Sequence, residues 1–378
     1  MKFSVNTIAL KNELAKICGV VPNNNTIPII NCVFMKLDGD VLTLRATDMS
    51  TTISATMKVF DTSADKMSCT AIPATLLQNI VKTLDNGVIT IEVSEKDFSA
   101  VITSADGKYR LSGRNADLYP KVPEVEYSTT VMTKVGTLLS GIGNTLFAAD
   151  SEASGRPQLC SILARLEEDG FTFAATNAHI LSRYINRESK PTDTCECMLP
   201  ATVMPTLKKV LATAKDDDPL QMSVNETNAE FRFDNVIATI RLVDGKYPNI
   251  NAVIKTEGTV PVIVSKDELV KKLKRVSLFA NQNTMSVKLQ IEKQTLTIIA
   301  EDIEFSNDAN DKLPCSYEGD PMTIGVNATL LMKALSPIDS ENVYLLVSNP
   351  LKPVYFMPEK NEIDNIDILT LVMPVSLS

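Results

Sequence analysis

The stretch "FTFAATNAHILS", residues 171–182, carries His179, the only histidine among 378 residues. Imidazole changes charge near neutral pH, so a solitary histidine raises proton transfer, activation of a nucleophile or metal ligation. No nucleophile stands beside it in the sequence, although folding can bring Cys160 near. The seven cysteines are the other reactive groups, and Cys195 with Cys197 in "TCECM" is their one local cluster. A structural zinc site takes four ligands, which one histidine and no C-x-x-C pair do not supply. An odd number of cysteines in a long chain reads as reduced thiols, here strand residues. The acidic runs "KDDDP" (215–219) and "AEDIEFSND" (300–308) fall at turns or strand ends, with nothing nearby to complete a cation shell. Phosphate-cradling glycine loops and a G-x-S-x-G elbow are absent from the sequence. The chemistry-bearing residues therefore predict no catalytic group, no metal and no cofactor.

What positions these residues is an internal repeat. "LTLRATD" at 42–48 matches "FTFAATN" at 171–177 and "LTIIAED" at 296–302. "IPATLLQNIVKTL" (72–84) matches "LPATVMPTLKKVL" (199–211) and "GVNATLLMKAL" (325–335), which sets Pro73, Pro200 and Asn327 about 127 residues apart. A third echo ends each copy at Pro120, Pro248 and Pro374. Three motifs in one order at one period predict three copies of one domain: residues 1–126, 127–258 and 259–378. Within a copy, alternating runs such as "CVFMKLDGDVLTLRAT" read as half-buried strands joined at Asp-Gly turns. Two helical segments interrupt them, one opening the copy (7–20, 131–148, 266–281), the other after the second motif (73–85, 200–215, 327–338), introduced by proline or asparagine. The expected class is α+β: three tandem domains, each with two helices packed on antiparallel sheets.

An apolar content of 44% supports a full core, and no run of 18 apolar residues suggests a membrane span. Asn6 and Lys11 interrupt the opening segment, so no secretory leader is expected and a cytoplasmic place is. Taken alone, the net charge of −9 argues against nucleic acid, but it averages over the surface. The helical segments are rich in Lys and poor in acids, and the remainder is strongly acidic. On a helical wheel, Leu269, Leu273, Val276 and Ala280 form an apolar stripe opposite Lys271, Lys274 and Arg275. In 200–215, Val203, Leu207, Val210 and Leu211 face inward and Lys209 outward. Lys82 opposes Leu77, Ile80 and Leu84, and Lys16 adds a cation to the first helix. A cationic helical face on an acidic body suits a phosphate backbone, read without base specificity. Leu278 and Phe279 fall off the stripe at a helix end and suggest a protein contact.

The start "MKFSV", the three repeats, the T-[DN]-x-H-x-L stretch, the "DGKYPN" turn and the "VMP" tail together resemble the bacterial DNA polymerase III beta subunit (sliding clamp) family along the full length. The resemblance implies a homodimeric ring closed head to tail around double-stranded DNA, with helices lining the hole and sheets outside. Helices spaced at about 8–10 Å put a twelve-helix circle of axes roughly 35 Å across, leaving about 25 Å for a duplex. It implies docking of the polymerase III alpha subunit, the clamp loader and other proteins through short peptides. The matching pocket positions are Arg156, Leu159, Thr176, Ala178, His179, Ile180 and Leu181, then Pro248 and Val253. Leu330, Leu351, Pro353, Leu371, Met373, Pro374 and Val375 match further walls. At the subunit joint the matches are Tyr109 and Leu111 in the first domain, Leu278 and Phe279 in the third. Lys16, Lys82, Lys209, Lys271, Lys274 and Arg275 are the expected DNA-facing residues. The chain departs from the family at Ala178 (usually glycine), at Ile180 and Ala252 (often basic), in the "SLS" tail, and at Pro157, Gln158 and Asn23–Asn25, where DNA-touching side chains are usual.

Two rival readings make different demands. An enzyme built on His179 loses nearly all turnover when that residue becomes alanine, whereas a clamp loses only peptide affinity. A monomeric, repeat-built protein-interaction adaptor without DNA encirclement sediments as a single 41.3 kDa chain, not as twice that mass.

Overall fold

The computed structural model describes residues 1–22, 27–63, 68–122, 126–151, 155–168, 170–188, 194–359 and 365–376. Asn23–Asn25 and the last two residues of the "SLS" tail lie outside these. Six α-helices are present among the described residues: α1 (Thr7–Ile17), α2 (Ala74–Thr83), α3 (Val135–Thr145), α4 (Met204–Leu211), α5 (Lys266–Val276) and α6 (Ala328–Leu335). The described strand ladders are antiparallel.

The chain forms two compact units, Met1–Leu139 with Val203–Leu242, and Ser140–Thr202 with Val243–Ser378. In the first, a five-stranded sheet runs in the order Phe60–Ser63, Lys2–Asn6, Val88–Val93, Ala100–Thr103, Lys108–Leu111. An eight-stranded sheet is continuous through the pairing of Thr51–Lys58 with Val236–Arg241. In the second, a nine-stranded sheet is continuous through the pairing of Ile180–Asn186 with Ile366–Val372. Its four-stranded sheet runs Asn307–Pro314, Thr295–Asp302, Ser286–Ile291, Met322–Asn327. Compactness follows these shared sheets and so cuts through the central repeat of the sequence.

The repeat motifs occupy equivalent places. "LTLRAT", "FTFAAT" and "LTIIAED" are the strands Val41–Thr47, Gly170–Thr176 and Thr295–Asp302. At the end of each stands an Asx side chain, Asp48 and Asn177 just after the first two strands and Asp302 closing the third, that accepts from two backbone amides ahead of it. Asp48 takes Ser50 N at 2.9 Å, Asn177 takes Ile180 N at 3.0 Å, and Asp302 takes Glu304 N at 3.1 Å. The Asp-Gly turn between Cys32–Asp38 and Val41–Thr47 is formed with Gly39 at φ +61°.

The stripe of α5 is buried as the wheel requires: Leu269, Leu273, Val276 and the following Ala280 lie inside. Leu278 and Phe279 sit in a 3-10 turn, 74% and 41% exposed. Asn6 and Asn327 cap α1 and α6 by accepting from Ile8 N and Leu330 N.

Five sequence expectations need correction. Residues 131–134 are not helical but end the strand Thr129–Lys134, whose alternating burial pairs it with Pro219–Val224. That leaves α3 without a charged residue. Pro200 closes the strand Cys195–Pro200 and starts no helix; Pro205 takes the first turn of α4 instead. The inward residue there is Met204, fully buried, while Val203 is the half-buried cap. Lys16 does not face solvent: only 8% exposed, its Nζ lies 3.0 Å from Glu13 and 2.8 Å from Asn235 Oδ1. Leu111 is 1% exposed, the one buried residue at the end of an otherwise exposed strand, so its side chain offers no surface to a second subunit.

Candidate functional site

In the second unit, an apolar cavity of about 370 Å³ opens where three segments meet. One wall is the 3-10 turn Pro157–Cys160, entered from Arg156. A second is the turn linking strands Gly170–Thr176 and Ile180–Asn186; the third combines the "KYPN" turn with Leu371 and Met373.

Thr176 and Asn177 build the second wall. Thr176 Oγ1 donates to Ile180 O at 2.7 Å and accepts from Ala178 N at 3.1 Å, while Asn177 Oδ1 accepts from His179 N and Ile180 N. This turn needs a left-handed residue in the middle, and Ala178 takes that place at φ +74°. Met49 repeats the geometry in the first copy, at φ +79° after the Thr47–Asp48 pair. Tyr247 locks the next wall to this one: its hydroxyl accepts from Thr176 N at 3.0 Å. Burial pushes that phenol above its ordinary range, so it stays neutral. Gly245, at φ +112°, lets the "DGKYPN" turn approach Gln158, whose Nε2 lies 2.7 Å from where a Cβ would stand. Asn249 caps the short Ile250–Ala252 turn by accepting from Asn251 N at 3.1 Å. Met373 N donates to His179 O at 2.8 Å and stitches the tail to the first turn.

The floor is continuous with a core that includes Leu181, Tyr247, Ile250 and Leu371, with Met373 packed against it. Apolar surface therefore dominates, while Arg156, Gln158, Lys246 and Asn249 supply polar groups and no carboxylate is among the described residues that line the cavity. Such a site takes an apolar side chain or two and holds a backbone by a few hydrogen bonds.

Of the pocket residues expected from the sequence, Arg156, Leu159, Thr176, Ala178, Ile180, Leu181, Pro248, Val253, Leu371 and Met373 do line this cavity. His179 does not: it is exposed, outside the lining, and contributes through its backbone. Leu330, Leu351, Pro353, Pro374 and Val375 are also outside the lining, and Leu351 is 85% exposed. The structure adds Gln158, Lys246, Asn249 and Ile250, each beside a motif position, so a contiguous reading of "RPQL" and "KYPNI" would have found them.

Elsewhere, Lys82, Lys209, Lys271, Lys274 and Arg275 are exposed on their helices, and Arg275 also meets Asp311 at 2.9 Å. Cys195 and Cys197 are strand residues; the hydrogen bond between their thiols lowers the pKa of Cys195 and raises that of Cys197, which is also buried. Among the described residues no three His, Cys, Asp or Glu side chains gather as a metal site, and no helix is long and apolar enough to cross a membrane.

Models for the N-terminal, central and C-terminal domains of the DNA polymerase III beta subunit match residues 1–123, 132–249 and 251–376. The beta sliding clamps of Synechococcus elongatus and Synechocystis sp. are 24% and 26% identical, each over the full length of both chains. The crystal structure of the DNA polymerase III subunit beta from Pseudomonas aeruginosa superposes with a TM-score of 0.92 at 23% identity, covering 100% of each chain. That from Thermotoga maritima gives 0.90 at 21%, again over both whole chains. With three domain models matched in order along nearly all its length, the chain belongs to the DNA polymerase III beta subunit family.

Proposed function

We propose that this chain is the sliding clamp of a bacterial DNA polymerase III, a non-catalytic processivity factor. The observation that carries the reading is the end-to-end succession of the three beta-subunit domains in one chain. In this reading residues 1–126, 127–258 and 259–378 are its three clamp domains. Two copies close head to tail into a ring around duplex DNA. Contacts between helix cations and phosphates are sequence-independent, so translation along the duplex breaks no base contact. Lys82, Lys209, Lys271, Lys274 and Arg275 serve that surface; Lys16, buried and paired, does not. At the joint, Tyr109 on one copy meets Leu278 and Phe279 on the other. Unlike patches on the two sides make the contact heterologous, and closure after two steps prevents a filament.

The cavity from Arg156 to Met373 is the docking site for peptides of the polymerase alpha subunit, the clamp loader and other clamp-bound proteins. Each Leu- or Phe-sized anchor buried there contributes about 1.5–3 kcal/mol before the cost of ordering the peptide. Two anchors give weak, exchangeable binding, which lets successive partners share one site.

The test is to load the protein onto nicked circular DNA and then cut the circle. Rapid loss upon linearisation is expected; retention on the linear form would sink the ring. No observation favours the DNA-free adaptor, and in that case circular and linear DNA would recover the protein equally poorly.

A further inference from the structure

The two sheets that run on from one repeat to the next present the same face with opposite chemistry. In the nine-stranded sheet Ala174, Leu181, Leu371 and Tyr355 are buried in the core beneath the apolar cavity. The repeat sets Arg45 where Ala174 stands and Thr52 where Leu181 stands. Thr239 lies opposite Thr52 as Leu371 lies opposite Leu181, and beyond it Glu230 takes the place of Tyr355. The alternation that buries Leu44, Ile53 and Ala238 turns these polar groups to the other face, where they line a cavity of about 500 Å³. Across that face Arg45, Ser54, Ile237 and Arg232 form one row over four strands.

Charge on this face is matched except at Arg45. Glu230 is buried, accepts from the Tyr127 hydroxyl at 3.2 Å and pairs with Arg232, while Asp234 lies 3.7 Å from Lys16 Nζ. Arg45 donates from Nε to Ser54 Oγ at 3.2 Å, and its guanidinium stands 5.2 Å from the centre of the Phe34 ring. No carboxylate among the described residues meets its two outer nitrogens. Burial lowers its pKa from the ordinary guanidinium value, as for a cation drawn partly out of water. We propose that this face binds an acidic peptide segment of a partner protein, a carboxylate of the segment being held by the outer nitrogens of Arg45. The hydroxyls of Thr52, Ser54 and Thr239 line the cavity beside it and serve the amides of the same segment. A planar guanidinium offers a carboxylate two parallel hydrogen bonds, and Phe34 and Ser54 set its orientation beforehand. A Leu or Phe anchor would meet hydroxyls and charge here, so the two faces select different segments.

The test uses the full-length chain without DNA, so its outcome is separate from that of the ring. Anisotropy of a rhodamine-labelled hexaglutamate peptide should report saturable binding, and hexaglutamine should bind about tenfold or more weakly. Arg45→Gln keeps much of the stem against Phe34 and should raise the hexaglutamate Kd by about 10- to 100-fold. Thr56→Glu adds an independent arm, because Thr56 is exposed at the cavity rim in the row next to Arg45. A resident carboxylate there should weaken the peptide by about tenfold while leaving the core untouched. Should Arg45→Gln melt early, Thr56→Glu decides alone. No saturable binding at millimolar peptide, equal binding of hexaglutamine, or an unchanged Kd in the deciding variant overturns the proposal. An oligothymidylate that binds in the peptide's place, and is lost in the same variant, assigns the face to nucleic-acid phosphate and overturns it as well.

Discussion

Ala178 is held at φ +74° by Thr176 and Asn177, a conformation that costs an L-residue roughly 1–2 kcal/mol. Glycine would escape that strain at some loss of chain entropy. Ala178→Gly should therefore raise stability by about 0.5–1 kcal/mol, read as a higher urea midpoint with an unchanged slope. A lower midpoint would mean that the methyl group does packing work at the cavity mouth. Val253 tests the cavity itself, because it lines the wall yet is 44% exposed and not needed by the core. Val253→Asp should lower affinity for a peptide with a Leu or Phe anchor by about tenfold or more, leaving the melting curve in place. Fluorescence anisotropy with a labelled peptide measures it. His179, the residue that most invited an enzyme, should tolerate alanine with little change in either assay, since its backbone makes the contacts. Its rarity in the sequence was a poor guide, because the turn uses the types of its neighbours and not the imidazole.

Among the elements, α5 was legible because its apolar positions recur at helical spacing and its cations fall opposite. The Thr129–Lys134 strand was not, since "VMTKVGTLL" is apolar at both periods and its partner, Pro219–Val224, lies far along the chain. Non-local pairing also hid Lys16. Its partner Asn235 is 219 residues away, in the turn between Asn228–Phe233 and Val236–Arg241. Asn235 Nδ2 donates to Glu13 Oε2 at 2.8 Å and to Thr56 O at 2.7 Å, so one amide ties its hairpin turn to α1 and to the strand Thr51–Lys58. Asn235→Ala leaves these acceptors and the Lys16 ammonium short of partners. It should cost about 1–3 kcal/mol, measurable by denaturant unfolding. A loss below about 0.5 kcal/mol would place the cluster among surface ion pairs of little weight.

For the molecule as a whole, the repeat period and the cationic helices were readable in the sequence, whereas the seams were not. The chain carries −9 overall, so long-range attraction to DNA is weak and retention in the ring reading depends on closure. A binder held by 6–10 phosphate contacts loses about 10³–10⁵ in affinity between 50 and 200 mM salt. The lifetime of this protein on closed circular DNA should change by less than about tenfold over that range. A steep salt dependence would indicate ordinary electrostatic adhesion. The seams carry a further consequence. Val236–Arg241 completes the sheet begun by Thr51–Lys58, and Ile366–Val372 completes that of Ile180–Asn186. A protein trimmed at residue 126 or 258 would thus be left with raw, unpaired backbone along a long strand, a template for sticking to its own kind. Single repeats should precipitate or cross-pair when expressed alone, so this chain can gain or lose a repeat only by redesigning the strand that its neighbour borrows.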